Sequence, residues 1–151
     1  MKSTLLTLLL LALWIPVTLD KMINFRVFST GILQQPFNNS LARVLVYTLP
    51  VLETLTVILL LLPPLRKWGF ALSTVLMLIF TAYIGVALAG AWEHLPCGCG
   101  SVISGLSWKQ HFFFNLFFLL ISGYGLYLAN TKQGGAAGGE TTKGWPAKRH
   151  P

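Results

Sequence analysis

The sequence predicts an all-α protein: a polytopic membrane four-helix bundle with both termini in the cytoplasm and a short outer interfacial helix. The chain has 151 residues, of which 54% are hydrophobic and only 10% are charged, whereas soluble domains carry about 25% charged residues. The apolar residues form long blocks rather than the alternating patterns of a soluble core. The net charge of +7 comes from basic residues scattered between the blocks and in the tail. It therefore indicates membrane orientation rather than nucleic-acid binding.

Four blocks supply the predicted spans. A helix needs roughly 17 to 25 mainly apolar residues to cross a hydrocarbon layer of about 30 Å. The blocks cover residues 3–19, 44–62, 68–92 and 112–128, within a membrane domain of residues 1–130. The first also has the shape of a secretory signal peptide, but no small-residue cleavage site follows it, so we expect an uncleaved helix. Residues 131–151 are rich in glycine and basic residues and predict a flexible cytoplasmic tail.

The distribution of basic residues predicts the orientation. Seven of the eleven Lys and Arg residues fall on the side of the termini, and the other four are Lys21, Arg26, Arg43 and Lys109. Because cytoplasmic segments carry the excess of basic residues, both termini are expected inside. Two longer segments, residues 20–43 and 93–111, then face outward.

The first outer segment has the pattern of a short amphipathic helix. Apolar residues recur at helical spacing at Met22, Phe25, Phe28 and Ile32, with polar residues between them. Such a helix lies in the membrane interface with its aromatic face down. We expect it to cover the outer mouth of the bundle; the alternative is docking of a partner protein.

The second outer segment holds the only two cysteines of the chain, Cys97 and Cys99, separated by Gly98. Disulfides persist on the oxidising side of a membrane. A disulfide requires Cα atoms about 4.4–6.8 Å apart, and an extended pair at this spacing lies near the upper limit. Bridging therefore requires a tight turn at Gly98, and the small strained ring would be easily reduced. The two cysteines are candidates for a redox-active dithiol.

Neighbouring residues could tune these thiols. Pro96 is expected to end the preceding helix, and a protonated His94 would favour a thiolate. His111 marks the entry to the fourth span. Two other interpretations stay open: the thiols and histidines bind Cu(I) or zinc, or the pair is a simple bridge. We assign no metal and no bound cofactor, but a quinone is the natural acceptor if the pair is re-oxidised through the membrane.

A few polar residues lie inside the predicted spans. Glu53 is the midpoint of the second span, where a carboxylate is costly unless it is protonated, paired or hydrated. It is a candidate proton relay or quinone contact, or else a neutral group hydrogen-bonded between helices. Pro50, one turn earlier, frees a backbone carbonyl. Tyr83 and Asn115 are expected below the cysteine loop as interhelical hydrogen-bonding groups, with substrate binding as the alternative.

Several stretches together resemble a known family. In chain order they are Asp20-Lys21 with Phe25 and Phe28, Leu49-Pro50-x-x-Glu53, Phe80-Thr81-x-Tyr83, Cys97-Gly98-Cys99-Gly100, Leu106-Ser107-Trp108, and Asn115. They resemble the DoxX-like membrane proteins and, more closely, the MauE branch, the methylamine-utilisation membrane proteins. The cysteine loop followed by Ser-Trp is the most specific part of the resemblance.

The resemblance implies periplasmic disulfide chemistry in the bacterial inner membrane. A MauE-type protein would support maturation of a disulfide-rich client, of the methylamine dehydrogenase small-subunit type, together with a thioredoxin-like partner. Cys97 and Cys99 would form the redox pair, with Gly100 and Trp108 among the supporting residues. Two other functions compete: a non-catalytic assembly or metal-delivery factor using the same loop, and a scaffold for a partner subunit.

Overall fold

The protein is a bundle of long apolar helices. The computed structural model describes residues 2–36, 38–90 and 107–137. Within these ranges the helices are α1 (Lys2–Ile23), α2 (Phe25–Leu33), α3 (Asn39–Leu61), α4 (Arg66–Leu88) and α5 (Trp108–Ala137), with a 3-10 turn at Pro63–Leu65. Among the described residues, four segments are long and apolar enough to cross a membrane: Ser3–Ile23, Asn39–Leu61, Pro63–Leu88 and Lys109–Thr131. The predicted all-α, multi-pass class is confirmed, and the cytoplasmic placement of the termini stays a prediction.

Local sequence explains where the helices begin and end. The Asn38 side chain accepts a hydrogen bond from the Ser40 amide at 3.0 Å and so caps α3. At the other end of α3, Leu62 has extended backbone angles, as expected for a residue before proline. A capping box opens α5: the Gln110 side chain accepts from the Ser107 amide at 2.9 Å, and Ser107 Oγ accepts from the Gln110 amide at 3.3 Å.

The four long helices enclose one apolar core. The most extensive pairing is between α4 and α5, and α3 packs against both α1 and α4. Leu10, Trp14, Leu60 and Phe70 are completely buried in this core. Many large apolar side chains on the outer surface are exposed, including Tyr47, Val51, Phe113 and Leu120. An outward apolar surface on such helices is what a lipid environment requires.

Hydrogen bonds between side chains link three helices inside the core. The indole nitrogen of Trp14 in α1 donates to Ser73 Oγ in α4 at 2.9 Å. The Ser73 hydroxyl is in turn 2.8 Å from the hydroxyl of Ser122 in α5. Polar groups buried among apolar helices are stabilised by such pairing. These hydrogen bonds therefore connect α1, α4 and α5 at one level along the bundle.

The short helix predicted in the first outer segment is α2. Its Phe28 is buried, whereas Phe25 is partly exposed and lies 6.0 Å, ring centre to ring centre, from Tyr47 of α3. The aromatic residues of α2 thus pack on the bundle. We call the end where α1 and α4 finish and α3 and α5 begin the loop end, since residues 91–106 connect the chain there.

At the end of the bundle opposite the loop end, α5 continues to Ala137. Its last turns therefore belong to residues 131–151, whose composition predicts a flexible tail.

Candidate functional site

A buried ion pair links the loop end of α1 to the middle of α3. Lys21, in the last turn of α1, donates a hydrogen bond from Nζ to Oε1 of Glu53 in α3. Glu53 is completely buried and Lys21 is 5% exposed. A single charge in the hydrocarbon region is strongly unfavourable, and pairing offsets much of that penalty. The pair therefore explains how α3 accommodates an acid at its midpoint.

The surroundings of the pair are aromatic on one side. Lys21 Nζ lies 5.3 Å from the ring centre of Phe28 and 5.7 Å from that of Phe80, within the range of cation–π attraction. The second carboxylate oxygen of Glu53, Oε2, has no hydrogen-bond partner among the described residues. The pair consequently retains an unused acceptor inside the bundle.

A cavity of about 340 Å³ adjoins Lys21. Residues from all five helices line it, and most of them are apolar: Leu13, Trp14, Val17, Phe28, Ile32, Leu41, Leu45, Leu49, Met77, Ile79, Phe80, Ile84 and Phe114. They come from the last part of α1, from α2, from the first part of α3, from the last part of α4 and from the first part of α5. The cavity is therefore confined to the loop-end half of the bundle.

A few polar side chains also line the cavity: Lys21, Gln35, Tyr83, His111 and Asn115. The Tyr83 hydroxyl donates a hydrogen bond to Oε1 of Gln35. His111 is 3% exposed, and its Nδ1 has no hydrogen-bond partner in the described part of the chain. Asn115, one turn further along α5, is also buried. The polar groups thus give the apolar cavity a small hydrogen-bonding region.

The structure brings several sequence-predicted residues together. Tyr83, Asn115 and His111 line the same cavity. Glu53 is hydrogen-bonded to Lys21, which also lines it. Tyr83 makes the hydrogen bond to Gln35, which connects α4 with the chain after α2. The polar interior residues that the sequence singled out in separate helices therefore belong to one region.

Two residues of this region were not predicted from the sequence as site residues. Lys21 was interpreted as an orienting charge, although a lone acid in the next span is a signal that a basic partner is needed. Gln35 follows the short α2 and has no periodicity that would have singled it out.

The predicted thiol site lies outside the described residues. This applies to Cys97 and Cys99 and to the supporting residues His94, Pro96, Gly98 and Gly100. Trp108 is the first residue of α5. In the described ranges, no group of three or more His, Cys, Asp or Glu side chains is arranged to hold a metal ion.

The fold and the site define a class: a multi-pass helical membrane protein with a buried ion pair and a cavity at one end of the bundle. A family model described as methylamine utilisation protein MauE matches residues 2–128. The chain belongs to this family. No curated protein and no solved structure matches the chain. The wider likeness to the DoxX-like proteins stays a prediction.

Proposed function

We propose that this MauE-family protein carries out thiol–disulfide exchange through Cys97 and Cys99 and so supports maturation of a disulfide-containing client. The observation that carries the proposal is the family match over residues 2–128, a range that includes the Gly-spaced pair. By the resemblance, the client is of the methylamine dehydrogenase small-subunit type. It would be reached outside the cytoplasm directly or through a thioredoxin-like protein.

The proposed exchange conserves atoms and electrons. A thiolate of the client or carrier attacks one sulfur of the oxidised Cys97–Cys99 pair, which forms a mixed disulfide and releases the other cysteine as a thiolate. The second client thiolate then attacks the mixed disulfide. The client leaves with its own disulfide, and Cys97 and Cys99 remain as a dithiol that has gained two electrons.

The position of the pair along the chain supports this proposal. Cys97 and Cys99 lie between the end of α4 at Leu88 and the start of α5 at Trp108. The segment that carries them is thus joined to the loop end, the same end that contains the cavity and Lys21.

Trapping of a mixed disulfide tests the exchange. Membranes of cells that make Cys99→Ser or Cys97→Ser full-length protein are quenched with acid, alkylated and separated without reductant. We expect one of the two variants to accumulate a covalent adduct that a reductant dissolves. Its remaining thiolate attacks a disulfide of the client or carrier, and the neighbouring cysteine that would resolve the mixed disulfide from this side is missing. The double variant Cys97→Ser/Cys99→Ser is the control and should form none. Absence of adducts from both single variants, with a pair that never changes its redox state, would contradict the proposal.

The competing metal-delivery function predicts a different result. Purified protein would then carry stoichiometric copper or zinc that is lost in Cys97→Ser, since a Cys-x-Cys pair offers thiolate ligands suited to Cu(I). Metal analysis of the same preparations distinguishes the two functions. Stoichiometric metal without any mixed disulfide would contradict thiol–disulfide exchange and support metal delivery.

A further inference from the structure

The cavity beside Lys21 has the size and lining of a ligand site. Its volume is about 340 Å³, and small-molecule sites are typically about 300–1,000 Å³ and mainly apolar with a few placed polar groups. The rings of Phe80 and Phe114 form part of the wall, and aromatic walls favour planar ligands by stacking. A flat, uncharged and mostly apolar molecule fits this lining.

Part of the cavity lining also belongs to the outer surface of the bundle. Two residues that line it, Leu41 in α3 and Ile79 in α4, are 49% and 56% exposed. These exposed residues belong to the apolar outer surface that faces lipid in a spanning helix. Trp14, on the inner wall, is in contrast completely buried. A ligand that enters past Leu41 and Ile79 comes from the bilayer and must be lipid-soluble.

One polar atom on the cavity wall has no hydrogen-bond partner among the described residues. It is Nδ1 of the buried His111, and a buried polar group without a partner is unfavourable. An imidazole nitrogen either donates to a carbonyl oxygen or accepts from a hydroxyl. Lys21, which also lines the cavity, is paired with Glu53 and has further N–H donors for a ligand oxygen. The site thus suits a ring whose oxygens are carbonyls in the oxidised state and hydroxyls in the reduced state.

We propose that this cavity binds the ring of a lipid-soluble quinone, with one ring oxygen at His111 Nδ1 and the tail passing between Leu41 and Ile79 into lipid. The role of the quinone rests on the proposed function. The dithiol of Cys97 and Cys99 becomes a disulfide by giving up two electrons and two protons, and the quinone takes up both to become a quinol. No other reactant is needed for the balance.

Binding is tested first without thiols, so that it does not depend on the exchange. Full-length Cys97→Ser/Cys99→Ser protein is purified in detergent and titrated with decylubiquinone, and an azido derivative of that quinone is photo-crosslinked and mapped by mass spectrometry. We expect saturable binding and crosslinks to cavity-lining residues. Leu45→Trp, which fills the cavity, should abolish binding, whereas Val44→Trp on the exposed neighbouring position should not.

His111→Phe provides a second variant that keeps the bulk of the side chain. Loss of one hydrogen bond should weaken decylubiquinone binding about tenfold, while the control Lys109→Ala on the exposed face of α5 should bind like the parent protein. Equal binding by Leu45→Trp and the parent, or a co-purified phospholipid that the quinone does not displace, would overturn the inference.

A reduction assay separates this inference from the proposed function. Pre-reduced protein with both cysteines should convert decylubiquinone to its quinol, and the thiol-free protein should bind the quinone without reducing it. Mixed disulfides in the trapping experiment without quinone binding would refute the quinone site alone. Quinone binding by a protein that never forms mixed disulfides would refute only the exchange.

Discussion

At the scale of single residues, the pairing of Lys21 with Glu53 is the main polar feature inside the bundle. Both side chains are buried, and the carboxylate keeps one oxygen without a partner among the described residues. Removal of one member of a buried pair leaves the other charge uncompensated, which is more harmful than removal of both. The pair therefore constrains which substitutions each position tolerates.

This constraint gives a prediction on stability. Lys21→Met or Glu53→Gln alone should lower the free energy of unfolding by about 3–5 kcal/mol, and the double variant should lose less than the sum of the two. Thermal and denaturant unfolding of the purified protein in detergent micelles measures all three. Arg26→Met, which changes an exposed basic residue of α2, serves as the control and should unfold like the parent. Strict additivity of the two single substitutions would show that the pair has no coupling energy.

At the scale of helices, the contact of α4 with α5 depends on a close approach at Gly125. A Cβ placed on Gly125 would overlap the ring of Phe70, whereas a Cβ on Gly123 would meet nothing within 4 Å. Phe70 is completely buried in the core and has little room to move. Gly123 and Gly125 thus have different roles although they are two residues apart.

The matched pair Gly125→Ala and Gly123→Ala tests this difference. Overpacking should lower the stability of Gly125→Ala by about 1–3 kcal/mol, whereas Gly123→Ala should be neutral or gain up to about 1 kcal/mol from the better helix propensity of alanine. Melting curves in the same detergent decide between them. Equal melting temperatures for the two variants would mean that Phe70 yields to the added methyl group.

Helices were easier to predict from the sequence than the contacts between them. Apolar length alone identifies the four spans, since hydrophobic run length is a local property. The partner of Glu53 could not be read from local pattern, because Lys21 is on another helix and its pairing depends on how α1 and α3 pack. The close approach of Gly125 to Phe70 could not be predicted from the sequence for the same reason. Of the site, the sequence identified Glu53, Tyr83 and Asn115 but not the cavity.

At the scale of the whole molecule, the excess of basic residues around the termini predicts that the loop end faces away from the cytoplasm. A membrane-impermeant maleimide added to intact spheroplasts should therefore label Cys97 and Cys99 after mild reduction. In the Cys97→Ser/Cys99→Ser background, Leu65→Cys at the opposite end should react only after the membrane is opened. The reverse pattern would place the termini outside.

The hydrogen-bonded level at Trp14, Ser73 and Ser122 limits where released protons can go. The cavity reaches no deeper along α1 than Leu13 and Trp14, and beyond them Leu10, Leu60 and Phe70 form a packed apolar layer without exposure. In the described helices this layer acts as an electrical insulator, because apolar packing strongly disfavours charge transfer. Under the proposed redox chemistry, the thiols give up their protons and the quinone takes them up on the same side of this layer. Thiol oxidation would then move no proton through the described core and would not discharge the ion gradient across the membrane.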